Sequence, residues 1–133
     1  MTARVDHVGV VVASMKDAGA FLDEILGLEL MLRPPPMPNG VRTAFYGAEG
    51  ARVELIEISD PVALAKRLGG AQARIEHIAI EVDDVREMSA QLRTRGVRFT
   101  SDEPVPVRDT LSIWTVPETS AGIIWQLFSH VAR

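Results

Sequence analysis

Asp6-His7-Val8-Gly9-Val10-Val11-Val12 and Glu76-His77-Ile78-Ala79-Ile80-Glu81-Val82 are two versions of one strand, 70 residues apart. Both alternate in the period-2 manner of a strand, and each carries a histidine as its inward polar residue. The match runs on past the strand. At the same offset Val8 falls on Ile78, Val10 on Ile80, Val12 on Val82, Lys16 on Arg86, Asp17 on Glu87, Ala20 on Ala90 and Leu22 on Leu92. After a one-residue deletion in the second copy, Gly27-Leu28 falls on Gly96-Val97. Two copies of this length are a domain duplication, since a solenoid needs three or more shorter units. Duplication can bring distant histidines together across a pseudo-two-fold axis, and two facing histidines suggest a metal site.

Composition narrows the chemistry. The 133 residues suit one domain. A net charge of −4 with no basic stripe argues against nucleic acid. Without cysteine there is no disulfide, thiolate site or cysteine nucleophile, so a bound metal must be held by imidazole, carboxylate or amide oxygen. The apolar run Val8 to Ala13 is too short to span a bilayer, and no signal-like segment precedes the first strand. A cytoplasmic protein with no membrane partner is the expectation.

The pattern predicts strand 5–12, a helix over 15–26 capped by Ser14, and a short strand 28–32. Met15, Ala18, Leu22, Ile25 and Leu26 are placed on one side of that helix. A stiff loop, Arg33 to Gly40, holds four prolines that cannot enter a central strand. Strands 41–46 and 52–58 follow, joined at Gly47-Ala48-Glu49-Gly50. Asp60-Pro61 opens a linker helix stopped by Gly69-Gly70. The second copy predicts strand 75–82, a helix from Asp84 to Arg95, strand 97–100, a loop holding Pro104 and Pro106, and strands around 111–116 and 123–128. The fold class is α+β. Two tandem βαβββ modules, about 4–58 and 75–129 with a linker helix about 60–70, are expected to form a cupped mixed sheet with helices on its outer face.

With these elements in place, the chain resembles the vicinal oxygen chelate superfamily over about residues 4 to 129. The resemblance rests on the paired modules, Asp6-His7-Val8-Gly9-Val10, Glu76-His77-Ile78-Ala79, Val53-Glu54-Leu55-Ile56-Glu57 and Gly122-Ile123-Ile124-Trp125-Gln126-Leu127. Asn39-Gly40-Val41, Val82-Asp83-Asp84-Val85, Arg95-Gly96-Val97 and Asp102-Glu103-Pro104 are most similar to the methylmalonyl-CoA epimerase branch.

The resemblance implies one divalent metal ion (Co, Ni, Mn, Zn or Mg) held by His7, Glu54, His77 and Gln126. Module spacing agrees, Glu54 following His7 by 47 residues and Gln126 following His77 by 49. Alternation sets each histidine on a face with small Gly9 or Ala79, opposite the valine and isoleucine stripes. Glu54, the carboxylate of the set, is the implied catalytic base. Methylmalonyl-CoA epimerases typically carry glutamine where Glu54 stands and glutamate where Gln126 stands, so the inventory is kept with the modules exchanged. Their second glutamate falls on Thr43, whose repeat counterpart is placed near Thr115. Thr43, Phe45 and Trp114 are candidates for a substrate pocket. Core packing is the competing role for Phe45, Trp114, Trp125 and Phe128, and solvent the competing place for Glu57, His130, Arg33, Arg42, Arg52 and Arg108.

The implied activity is a metal-dependent isomerase or epimerase acting on the proton alpha to a carbonyl. The alternatives are a glyoxalase-like lyase or isomerase on another 2-oxo or 2-hydroxy carbonyl substrate, and a non-catalytic small-molecule binding protein. The implied partners are a small-molecule substrate, with acyl-CoA among the candidates, and a second copy in a homodimer.

Overall fold

Each repeat folds as β-α-β-β-β in a computed structural model that describes residues 2–131. The chain divides into two compact units. One is His7–Glu76, and the other comprises the residues before His7 together with those from His77 on.

In the first unit, the part of β1 (Ala3–Val12) from His7 on pairs in parallel with β4 (Ala51–Ile58), which pairs antiparallel with β3 (Val41–Ala48), and β3 with the short β2 (Leu30–Leu32). The tight Glu49-Gly50 turn joins β3 to β4. Ser14 starts α1 (Met15–Ala20), its side chain accepting from the Asp17 N–H at 3.1 Å. Helix α1 packs on the face bearing Val12, Ala44, Tyr46 and Leu55. Gly19 is buried there, where a Cβ would sit 2.6 Å from the Tyr46 hydroxyl oxygen.

The predicted single helix over 15–26 becomes α1 followed by a π-helical turn, Phe21–Ile25, in which the Leu26 N–H bonds the Phe21 carbonyl at 3.0 Å. A π-turn holds one extra residue within a helix. It absorbs the residue by which the repeat offset drops from 70 to 69. It also turns the apolar stripe: Leu22 still packs on the core, but Ile25 and Leu26 are 71% and 55% exposed.

Asp60 caps α2 (Pro61–Leu68), which ends at Gly69 in the left-handed conformation. Helix α2 packs by Leu68, Ala63 and Leu64 against Val11, Ile56 and Ile58, on the sheet face opposite α1. The outer-face expectation thus describes α1, while the linker helix covers one end of the other face.

In the second unit, β5 (Ala73–Val82) pairs in parallel with β8 (Ile124–His130), which pairs antiparallel with β7 (Thr110–Trp114), and β7 with β6 (Val105–Val107). Asp84 caps α3 (Val85–Thr94), which packs on Val82, Ile113 and Leu127. The short strand expected at 97–100 is a single bridge, Phe99 to Thr115, and the strand falls instead on Val105–Val107. Pro106 is tolerated there because β6 is an edge, where a missing N–H breaks no interior ladder. His130 closes β8, exposed, 3.7 Å from Asp109. Among the described residues no helix is long and apolar enough to cross a membrane.

Candidate metal centre

The first unit builds a buried acid–imidazole pair. Glu54 on β4 lies opposite Gly9, two residues beyond His7 on β1, so both side chains share one face. His7 Nε2 lies 3.3 Å from Glu54 Oε1, with the residues only 6% and 7% exposed. Phe45, the cross-strand partner of Glu54, sets its ring edge-on to His7 with centroids 5.3 Å apart. Arg52, in register with His7, holds its guanidinium carbon 4.8 Å from the Phe45 ring centre. Thr43, two residues before Phe45, is buried on the same face.

The second unit repeats the layout with different chemistry. Gln126 on β8 lies opposite Ala79, two residues beyond His77 on β5. His77 and Gln126 are both buried. Trp114, the cross-strand partner of Gln126, is half-buried where the first unit has Phe45. The position equivalent to Thr43 is therefore two residues before Trp114, which is Ser112. This corrects the placement near Thr115. The error came from loop length, because β3 and β4 are joined by a tight turn whereas β7 and β8 are separated by residues 115–123. Thr115 instead turns its hydroxyl to the Trp125 N–H at 3.0 Å. Ser112 is 0% exposed, and its Oγ accepts from Gln126 Nε2 at 3.2 Å. A counting argument could not have found it; the register finds it at once.

Other candidates resolve as scaffold. Glu57 is not merely solvated: it accepts from the Met15 N–H at 2.7 Å and pairs with Arg42. Phe128 is buried, and the Trp125 indole donates to the Ser120 carbonyl at 3.0 Å. Arg33 and Arg108 are exposed.

The spacing of the His7–Glu54 pair suits two ligands of one divalent ion. Two neighbouring ligands each roughly 2.0–2.2 Å from one ion are about 3.0–3.4 Å apart, and the His7–Glu54 spacing falls in that range. Glu54 offers a buried carboxylate oxygen, a donor that divalent cations take. Imidazole, carboxylate and amide oxygen suit borderline to hard divalent metals.

Known proteins resemble the chain over most of its length. The profile of the Glyoxalase/Bleomycin resistance protein/Dioxygenase superfamily matches residues 6–114. Mitochondrial methylmalonyl-CoA epimerase of Bos taurus is 28% identical over 131 residues, covering 93% of this chain and 73% of its own. The uncharacterized protein YqjC of Bacillus subtilis is 39% identical over 104 residues, 76% of this chain and 73% of its own. A hypothetical protein from Bacillus halodurans superposes with a TM-score of 0.87 at 28% identity, over 100% of this chain and 98% of that one. Streptomyces coelicolor methylmalonyl-CoA epimerase, solved with 2-nitronate-propionyl-CoA, superposes at 0.84 over 97% of this chain and 98% of that one. At 24% identity it is a likeness of fold.

Proposed function

Since the chain belongs to the Glyoxalase/Bleomycin resistance protein/Dioxygenase superfamily, we propose that it is a metal-dependent isomerase or epimerase, similar to methylmalonyl-CoA epimerase, acting on the proton next to a carbonyl. The observation that carries this reading is the repeated register. In each unit an oxygen donor, Glu54 or Gln126, lies opposite the residue two beyond a buried histidine. On this reading His7, Glu54, His77 and Gln126 together hold one divalent ion.

When bound, such an ion supplies Lewis acidity, stabilising the negative charge that develops on a carbonyl oxygen as the proton leaves. His7 and His77 would hold the ion through their imidazole nitrogens, and Gln126 would offer its amide oxygen. Glu54 moves the proton: among the described residues it is the only buried carboxylate. Phe45 and Trp114 wall the two donor positions with aromatic surface, which excludes water. Thr43 completes the pocket with a hydroxyl.

The test is to load the protein with cobalt, nickel, manganese, zinc or magnesium, incubate it with methylmalonyl-CoA in deuterium oxide, and follow deuterium at C2 by mass spectrometry. Uptake is expected; none with loaded protein removes the epimerase reading. A second reading, a glyoxalase-like lyase or isomerase on a 2-oxo or 2-hydroxy carbonyl substrate, is favoured by the lone carboxylate. Thr43 and Ser112 supply hydroxyls at the equivalent flanking positions, so a two-carboxylate relay has no second member there. Turnover of hemithioacetals without deuterium exchange in methylmalonyl-CoA would select it. Tight binding of a ligand with no turnover, unaffected by His7→Ala and His77→Ala, would select a binding protein instead. We also propose a homodimer, supported by the exposed apolar side chains Phe21, Ile25 and Leu26. A monomeric mass in solution would overturn that part.

A further inference from the structure

We propose that Ser112 is a positioning residue that presents the oxygen end of the Gln126 amide to the ion, a role that rests on the metal reading above. An amide has two unlike ends. Its oxygen accepts hydrogen bonds and ligates cations, while its NH2 group only donates. A glutamine serving as a ligand through Oε1 therefore carries an NH2 that must find an acceptor. Gln126 is 9% exposed, so solvent is a poor one. A buried donor left without a partner is destabilising. The Ser112 Oγ, 3.2 Å from Gln126 Nε2, is that acceptor.

The fold places it there for a definite reason. Strands β7 and β8 are antiparallel, with Trp114 opposite Gln126 and Ser112 opposite Phe128. Ser112 is thus the diagonal neighbour of Gln126 on the same face, within reach of a long side chain. The neighbouring position, Ile113, points to the other face and packs under α3 with Leu127. Ser112 is 0% exposed and contributes no apolar group of that cluster, so its hydroxyl is a polar atom kept in a dry place with Gln126 as its partner. The first unit needs no such device, because a carboxylate such as Glu54 presents an oxygen whichever way it turns.

The experiment is a double-mutant cycle on the full chain: wild type, Ser112→Ala, Gln126→Ala and the double variant. Cobalt and zinc affinities are measured by competition with a chromophoric chelator. Ser112→Ala removes a single oxygen, and thermal unfolding of the metal-free proteins checks that all four fold. Outer-shell partners of ligands commonly carry roughly 10–100-fold in affinity. Ser112→Ala is expected to weaken binding by about 10-fold, and to cost nothing further once Gln126 is alanine. A second readout needs no metal: the Gln126 side-chain NH2 should exchange slowly in nitrogen-15 spectra of the metal-free wild type and quickly in Ser112→Ala. Unchanged affinity in Ser112→Ala, or a full additional loss in the double variant, overturns the positioning role while the metal reading stands. A wild type that binds none of these ions overturns both, and a protected NH2 would then mark the contact as scaffold.

Discussion

The two units have the same plan at corresponding positions and differ in what they place there. Both have a buried histidine on their first strand, an oxygen donor opposite the second residue beyond it, and an aromatic partner across from that donor. The first unit fills the plan with a carboxylate, an imidazole 3.3 Å away and an arginine over the aromatic ring. The second fills it with a neutral amide tied to a hydroxyl. Even the start of the helix follows this division. The first N–H of α1 goes to the Glu57 carboxylate at 2.7 Å, and that of α3 to the Ser129 hydroxyl at 3.1 Å. Duplication fixed the backbone positions, while side-chain charge was left free to specialise. On the proposed reading, one half would serve proton transfer and the other neutral ligation.

The largest test of that division is at the oxygen donors. Glu54→Gln should lower solvent proton exchange by roughly 10²–10⁴-fold, the usual contribution of a general base, while metal content stays measurable. Gln126→Glu should leave exchange in place. Equal losses from the two variants would break the asymmetry.

At the histidines the comparison predicts symmetry instead. His7→Ala and His77→Ala should each weaken cobalt binding beyond the roughly 10–100-fold that outer-shell residues carry. Chelator competition on the two proteins reads this directly, and an effect confined to one histidine would refute a shared ion.

Stability sharpens the comparison at the helix starts. Glu57→Ala removes charge-assisted bonds to Met15 and Arg42 and should cost about 1.5–3 kcal/mol. Ser129→Ala removes a neutral bond and should cost about 0.5–1.5 kcal/mol, both read from urea midpoints.

A smaller contrast lies on the helices. Gly19→Ala gains up to about 1 kcal/mol in helix propensity but drives a methyl to 2.6 Å from the Tyr46 hydroxyl, and should destabilise by about 1 kcal/mol or more. Ser89, its repeat counterpart, bonds only the Arg86 carbonyl of its own helix, and Ser89→Ala should lie within about 1 kcal/mol of neutral.

The smallest effect concerns acid stability. The Thr2 backbone N–H, then its hydroxyl, hold the Asp83 carboxyl below its ordinary value. A depressed carboxylate contributes stability above its unfolded pKa and loses it as the pH falls through the lowered value. Asp83→Asn should therefore lower stability slightly at neutral pH, with the difference from wild type vanishing as the pH falls below the lowered value, which flattens the acid limb.

Much of this was legible in the sequence because strand alternation and the repeat offset are backbone properties. His7, His77, Glu54 and Gln126 all fall on strands whose period-2 pattern fixes their face. The π-turn was foreshadowed by the one-residue slip in the offset, although the sequence alone could not say that Ile25 and Leu26 would turn outward. Ser112 was missed because connections of unequal length spoil counting between strands, and only hydrogen-bonded register restores the correspondence. Glu57 was misread for a related reason: alternation sends it away from Glu54, but nothing local reveals that the α1 terminus is waiting on that side.

Pro106, in the middle of β6, has a consequence reaching past the single molecule. The outer border of that four-stranded ladder is three residues long and lacks one donor N–H at its centre. On the first unit the corresponding border, Leu30–Leu32, is equally short and is followed, after Arg33, by Pro34-Pro35-Pro36. Such borders make poor templates for a foreign strand. Short borders with proline in or beside them offer few backbone groups to an added strand.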